Sequence, residues 1–134
     1  MQAKEIQDYR KAGNIAKKTI EYAKSIIKPG MLLLEIAEKI EKKIIELGAK
    51  PAFPCNLSIN EIAAHYTPSS NDETKASGLL KIDFGVHVSG SIVDTAFSLD
   101  LENNLENKKL IEASELALKQ ACKTIKPNIE LWKI

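Results

Sequence analysis

The sequence predicts an α+β fold in which amphipathic helices cover one face of an antiparallel β-sheet. Three observations predict it. Apolar residues recur at helical spacing in three separate stretches. Between the second and third stretch, two apolar runs alternate with polar residues at period two around Ser89-Gly90, the pattern of a β-hairpin. The 134 residues, 44% hydrophobic and 28% charged, suit one globular domain of ordinary composition.

The first helix is expected from about Ala3 to Ile27, with Ile6, Tyr9, Ile15, Ala16, Ala23 and Ile27 mostly on one face and lysines elsewhere. Pro29-Gly30 ends it. A second helix from about Leu33 to Leu47 carries Ile36, Ile40, Ile44 and Leu47 as its stripe, with Gly48 as C-terminal cap. Residues 49–59 read as loop and short strand, and residues 69–73 as an exposed turn. The hairpin spans Leu79 to Phe97. A polar connection from Asp100 to Asn107 leads to a third helix, about Lys108 to Ile125, which Pro127 ends.

Charge and composition exclude several functions. Nineteen basic and 18 acidic residues give a net charge of +1, which offers neither nucleic acid nor an anionic membrane an electrostatic footprint. No apolar run approaches a membrane span, and the first residues lack the apolar core of a signal peptide. Cys55 and Cys122 have no metal-like spacing and read as free thiols of a reducing compartment, so the expected location is cytoplasmic.

The chain also echoes itself. Lys126-Pro127 repeats Lys28-Pro29 at an offset of 98, and the same offset aligns Ala23 with Ala121, Ile27 with Ile125, Leu33 with Leu131 and Ile36 with Ile134. The echo predicts that residues 108–134 open a second copy of the first motif. An alternative reading of Leu131-Trp132-Lys133-Ile134 is a short docking tail.

The hairpin holds the chemistry. Alternation puts Leu80, Ile82, Phe84, Val86 and Val88 on one face, with Val93, Phe97 and Leu99 from the second strand. The other face holds Lys81, Asp83, Gly85 and His87 opposite Ile92, Asp94, Ala96 and Ser98. A two-residue Ser89-Gly90 turn sets Gly85 against Asp94 and Asp83 against Ala96. The two aspartates then lie diagonally on one face, roughly 7–8 Å apart at the backbone. Two such carboxylates must share a proton, be neutralised, or bind a cation. Hard divalent ions favour carboxylate oxygen, and a dinuclear site would need further ligands. The competing reading leaves both acids solvated beside Lys81. His65, in Ala63-Ala64-His65-Tyr66-Thr67-Pro68, would donate a hydrogen bond to a developing oxyanion if it faces the acids. His87 sits near the hairpin tip and is expected in solvent. Phe53, between Ala52 and Pro54, lines an apolar pocket or packs in the core.

The segment from Ala52 to Pro68, with Phe53-Pro54-Cys55-Asn56-Leu57-Ser58-Ile59-Asn60-Glu61 and Ala64-His65-Tyr66-Thr67-Pro68, resembles type 2 methionine aminopeptidases, the archaeal ones in particular. The stretch from Lys81-Ile82-Asp83-Phe84-Gly85 to Asp94 is similar to their metal-binding hairpin, in the same order and spacing. The resemblance covers nearly the whole chain. It implies the first half of a pita-bread fold, in which two pseudo-symmetric α+β halves enclose a metal cleft. It implies removal of the initiator methionine from nascent polypeptides through a water activated by two divalent ions (Co, Mn, Fe or Zn). Asp83 would bind one metal, Asp94 would bridge both, His65 would contact substrate at the scissile peptide, and Phe53 would line the methionine pocket.

The resemblance also implies ligands that are not here. The family needs a further histidine and two glutamates on the metals and a second pocket histidine; Glu115 and Glu130 match none of them. The chain alone is therefore expected to be inactive or nearly so, as either a truncated fragment or one subunit of a split enzyme whose other half is a separate chain, and to self-associate, pair with a partner or be poorly stable alone because of an exposed apolar seam. The alternative is a non-catalytic pita-bread module that binds ribosome or protein.

Overall fold

The computed structural model describes residues 2–134 and contains helices α1 (Ala3–Ile26), α2 (Leu33–Glu46) and α3 (Leu105–Thr124), strands β1 (Lys50–Pro51), β2 (Asn56–Ile59), β3 (Leu79–Val88) and β4 (Ser91–Asp100), and a 3-10 turn at Leu131–Lys133. It divides into two units, residues up to Glu102 and residues 103–134.

In the first unit β3 is the spine. It pairs with β4 along its whole length, from Leu79 with Asp100 to Val88 with Ser91. β2 and β1 pair antiparallel with successive stretches of β3, Asn56 opposite Asp83 and Lys50 opposite His87. Because β4 occupies one edge of β3 throughout, β1 and β2 share the other. The hairpin turns on Ser89 and Gly90 with φ of 52° and 86°, the left-handed pair that a two-residue turn between right-twisted strands demands. Leu80, Ile82, Phe84 and Val86 are fully buried on the face that alternation assigns to the core. α2 adds Leu33, Ile36, Ile40 and Ile44 to the same core, and Leu57 enters it from β2.

The face of α1 differs from the sequence expectation. Ile6 and Tyr9 are exposed, while Ala12, Ile15, Ala16, Thr19 and Ala23 are buried. The helix turns its small residues inward. Side chains as short as alanine let a helix approach closely, and the Thr19 hydroxyl, buried in that contact, donates to Ile15 O at 2.9 Å. At the end of α2, Gly48 takes φ +83° just past Leu47 and donates its N–H to Ile45 O, as a C-terminal glycine should.

In the second unit α3 begins at Leu105, earlier than Lys108. The Asn104 side chain accepts the Glu106 N–H at 2.8 Å, so the polar residues expected in a connecting loop are instead a helix start. α3 buries no residue, and Leu105, Leu110, Leu116, Leu118 and Ile125 are exposed. The turn that follows α3 matches the one that follows α1. Ile27 N–H donates to Ala23 O at 3.1 Å and Ile125 N–H to Ala121 O at 3.0 Å. Gly30 and Asn128 both have positive φ, 82° and 65°. Met31 N–H donates to Lys28 O and Ile129 N–H to Lys126 O, at 3.3 and 3.2 Å.

Candidate metal and substrate site

Register places the two acids. Gly85 pairs with Asp94 and Asp83 with Ala96, so both carboxylates rise from the face opposite the helices. Asp83 is half-buried and Asp94 exposed. The two carboxyls are near enough to act on each other. The Asp83 carboxyl titrates above the usual range. Burial is the main cause and the charge of Asp94 the next, while a hydrogen bond from Asn56 and the proximity of His65 pull in the opposite direction.

Lys81, although on the same face, does not neutralise the pair. Its ammonium reaches the other way and donates to Asn60 O at 2.5 Å, and its charged neighbour is Glu61. Burial holds the Lys81 ammonium below its ordinary pKa.

His65 is brought toward the acids by the loop that follows β2. It is exposed and has a left-handed backbone, φ 64°. A residue with a Cβ adopts that conformation at a cost, and such positions gather at functional sites. The residues after it are tied down. Leu57 N–H donates to Tyr66 O at 2.7 Å, and the Tyr66 hydroxyl donates to Asp72 Oδ2 at 2.8 Å. The Thr67 hydroxyl donates to Asn56 Oδ1 at 2.6 Å. His65 thus stands on a loop stitched to β2, within electrostatic reach of Asp83.

Phe53 lies against the hairpin on the acids' face. A Cβ built on Gly85 would meet Phe53 Cε1 at 2.5 Å and Ala52 Cβ at 2.8 Å, so the ring occupies the space above Gly85, next to the position of Asp94. Only glycine at 85 leaves room for it. The segment is held from behind. Ala52 N–H donates to Gly85 O at 3.0 Å, and Glu41 of α2 accepts the Cys55 N–H at 2.9 Å. The Cys55 thiol beside it is buried and pushed up to about 12, by burial first and then by Glu41 and Asp83. Both cysteines are free thiols.

His87 departs from its expected place in solvent. It is half-buried, and its Nδ1 accepts the Gly90 N–H at 3.4 Å across the hairpin turn. Asn56 was missed from the sequence, because nothing local to it shows that β2 pairs with β3 in the register that sets it opposite Asp83. Among the described residues, no cluster of three or more His, Cys, Asp or Glu is placed to hold a metal ion. Nor is any helix among them long and apolar enough to cross a membrane.

This geometry accompanies a sequence match. Residues 7–134 match the group described as metallopeptidase family M24. The chain belongs to that family. The M24 chain is 52% identical over 135 residues to a methionine aminopeptidase of Methanocaldococcus jannaschii, an alignment covering 97% of the chain and 45% of that protein. It is 54% identical over 125 residues to a methionine aminopeptidase of Pyrococcus abyssi, covering 92% and 42%. The chain thus spans less than half the length of these relatives. Among solved structures, the methionine aminopeptidase of Thermotoga maritima superimposes with a TM-score of 0.87 at 25% identity, over 98% of the M24 chain and 56% of that one. The α+β architecture of antiparallel sheet and helices is therefore the M24 pita-bread architecture over part of its length.

Proposed function

We infer that this M24 chain forms one wall of a dinuclear metal centre in a methionine aminopeptidase whose substrates are polypeptides beginning with methionine. The observation that carries the reading is the pair of strand acids, Asp83 and Asp94, brought close on one face by the hairpin register with Lys81 turned away. Two acids held together without an ammonium are favoured by a divalent cation, and their oxygens are the hard donors such ions prefer. Asp83 would bind one ion and Asp94 would bridge two. When bound, the ions supply Lewis-acid polarisation of the peptide carbonyl and lower the pKa of water. The chain's own residues do the rest on this side. His65 donates a hydrogen bond to the scissile carbonyl as charge develops on its oxygen. Phe53, over Gly85, offers an apolar wall to the methionine side chain.

Two carboxylates do not complete the shells of two ions, so this reading calls for further ligands, which a complementary half would supply. The second unit supports that reading. The turn after α3 repeats the hydrogen bonds of the turn after α1, and α3 carries exposed leucines. The partner is a complementary half, with self-association of this chain as the other way to cover those leucines.

The test is calorimetric titration with Mn²⁺ of the chain alone and of the chain mixed with a polypeptide supplying the remaining half. Weak binding alone, tight binding together and hydrolysis of methionyl peptides by the pair are expected. Asp83→Asn abolishes that hydrolysis. No gain in affinity on mixing, or full activity in Asp83→Asn, would overturn the reading.

A further inference from the structure

A carboxylate on a sheet face is free to turn about its last torsion, a broad sp³–sp² rotation. Asp83 is denied that freedom by its cross-strand partner. Asn56 stands directly opposite it in the β2–β3 ladder, and the Asn56 side chain is hydrogen-bonded to the Asp83 carboxyl. An amide has an acceptor end and a donor end, and an ionised carboxylate, which only accepts, bonds the donor end. The Thr67 hydroxyl takes the other end. Its donation to Asn56 Oδ1 at 2.6 Å occupies the acceptor end and leaves Nδ2, the donor, for Asp83. Thr67 in turn follows Tyr66, whose carbonyl accepts the Leu57 N–H at 2.7 Å on the far edge of β2.

We propose that Asn56, clamped by Thr67, is the positioning residue of the Asp83 carboxylate, fixing which of its oxygens faces Asp94 and tying that orientation to the loop that presents His65. The proposal rests on the reading of Asp83 as a metal ligand and deepens it. The amide touches neither metal nor substrate; it acts through Asp83. One hydroxyl and one amide then connect the two sides of the site. A displacement of the His65 loop loosens Asp83, and a metal drawn to Asp83 steadies the loop.

Two measurements on this chain test it. The first needs no metal. In nuclear magnetic resonance spectra the Asn56 side-chain amide protons are shifted and slow to exchange in the wild type. Thr67→Val returns them to the free-amide position, whereas Thr67→Ser, which keeps the hydroxyl, restores them; the Leu57 amide stays protected in all three. The second is Mn²⁺ titration, with the Co²⁺ visible spectrum as a probe of ligand geometry. Asn56→Ala weakens Mn²⁺ about 10–100-fold, the usual loss when a ligand's supporting hydrogen bond is removed. Thr67→Val weakens it less, in the same direction, with a changed Co²⁺ spectrum, and carries the affinity test if Asn56→Ala does not fold. Asn56 amide signals unchanged by Thr67→Val would overturn the clamp, and so would Mn²⁺ affinity in Asn56→Ala within about twofold of wild type. A wild-type chain that takes up no Mn²⁺, alone or with the complementary half, would defeat the metal reading instead, and the amide spectra would still decide the clamp.

Discussion

Gly85→Ala tests the packing that positions Phe53 above the acids. Gly85 has no positive φ, so alanine fits its backbone and, by reducing the freedom of the unfolded chain, would on its own stabilise the strand by about 0.5–1 kcal/mol. The added methyl, however, would lie 2.5 Å from Phe53 Cε1 and 2.8 Å from Ala52 Cβ. The ring can swing aside. Ala52 cannot, since its N–H is bonded to Gly85 O itself at 3.0 Å. Overpacking of this kind costs about 1–3 kcal/mol. The net expectation is destabilisation of up to about 2.5 kcal/mol, which for a unit of this size lowers the melting temperature by up to roughly 20 °C. The assay is thermal unfolding followed by circular dichroism for Gly85→Ala, Phe53→Ala and the double variant. Removing the ring first leaves only Ala52 in the way, so the alanine costs less in that background, with a coupling of about 1 kcal/mol. A Gly85→Ala chain that melts above wild type would show that Phe53 does not sit on the hairpin, and the pocket-wall role proposed for it would go too.

Three further outcomes follow from the same geometry. Glu41→Ala strips the acceptor from the Cys55 N–H and destabilises by about 1–2 kcal/mol in urea titrations, while Glu41→Gln keeps an oxygen there and costs less; equal losses would contradict a hydrogen-bonding role. A thiol reagent at mildly alkaline pH labels exposed Cys122 readily and leaves Cys55, buried and pushed up to about 12, unmodified until the chain unfolds; mass spectrometry finding both labelled in the native chain would refute that. Asp83 keeps its proton to higher pH folded than unfolded, so its destabilising effect is absent below about pH 4 and grows as pH rises through the folded value. Without metal, Asp83→Asn is therefore more stable than wild type at neutral pH, by less than about 1 kcal/mol given solvent screening, and the two chains converge in acid. Melting below wild type at neutral pH would contradict the strain assigned to the carboxylate pair.

The parts of this site legible in the sequence are those that local stereochemistry controls. The common face of Asp83 and Asp94 follows from alternation along a strand and from a turn whose two residues tolerate positive φ, and the pairings of Gly85 with Asp94 and Asp83 with Ala96 came out as that argument requires. Helix ends at Pro29-Gly30 and Gly48 were equally local. The buried stripe of α1 was not, because apolar residues lie on more than one side of that helix. The sheet selected Ala12, Ala16 and Thr19 for a close approach and left Ile6 and Tyr9 in water.

Sequence by itself determined the hairpin, its register and the family to which the chain belongs, since each depends on residues a few positions apart or on motifs read in order. Tertiary structure alone decided what surrounds the acids. The docking of β2 on the free edge of β3 brought Asn56 to Asp83, the loop fastened to β2 brought His65 near, Lys81 found a carbonyl instead of a carboxylate, and the glycine at 85 admitted Phe53. Those neighbours are joined by pairing between distant segments, and which edge a strand pairs with is settled by the burial and hydrogen bonding of the whole sheet rather than by any stretch of chain read alone.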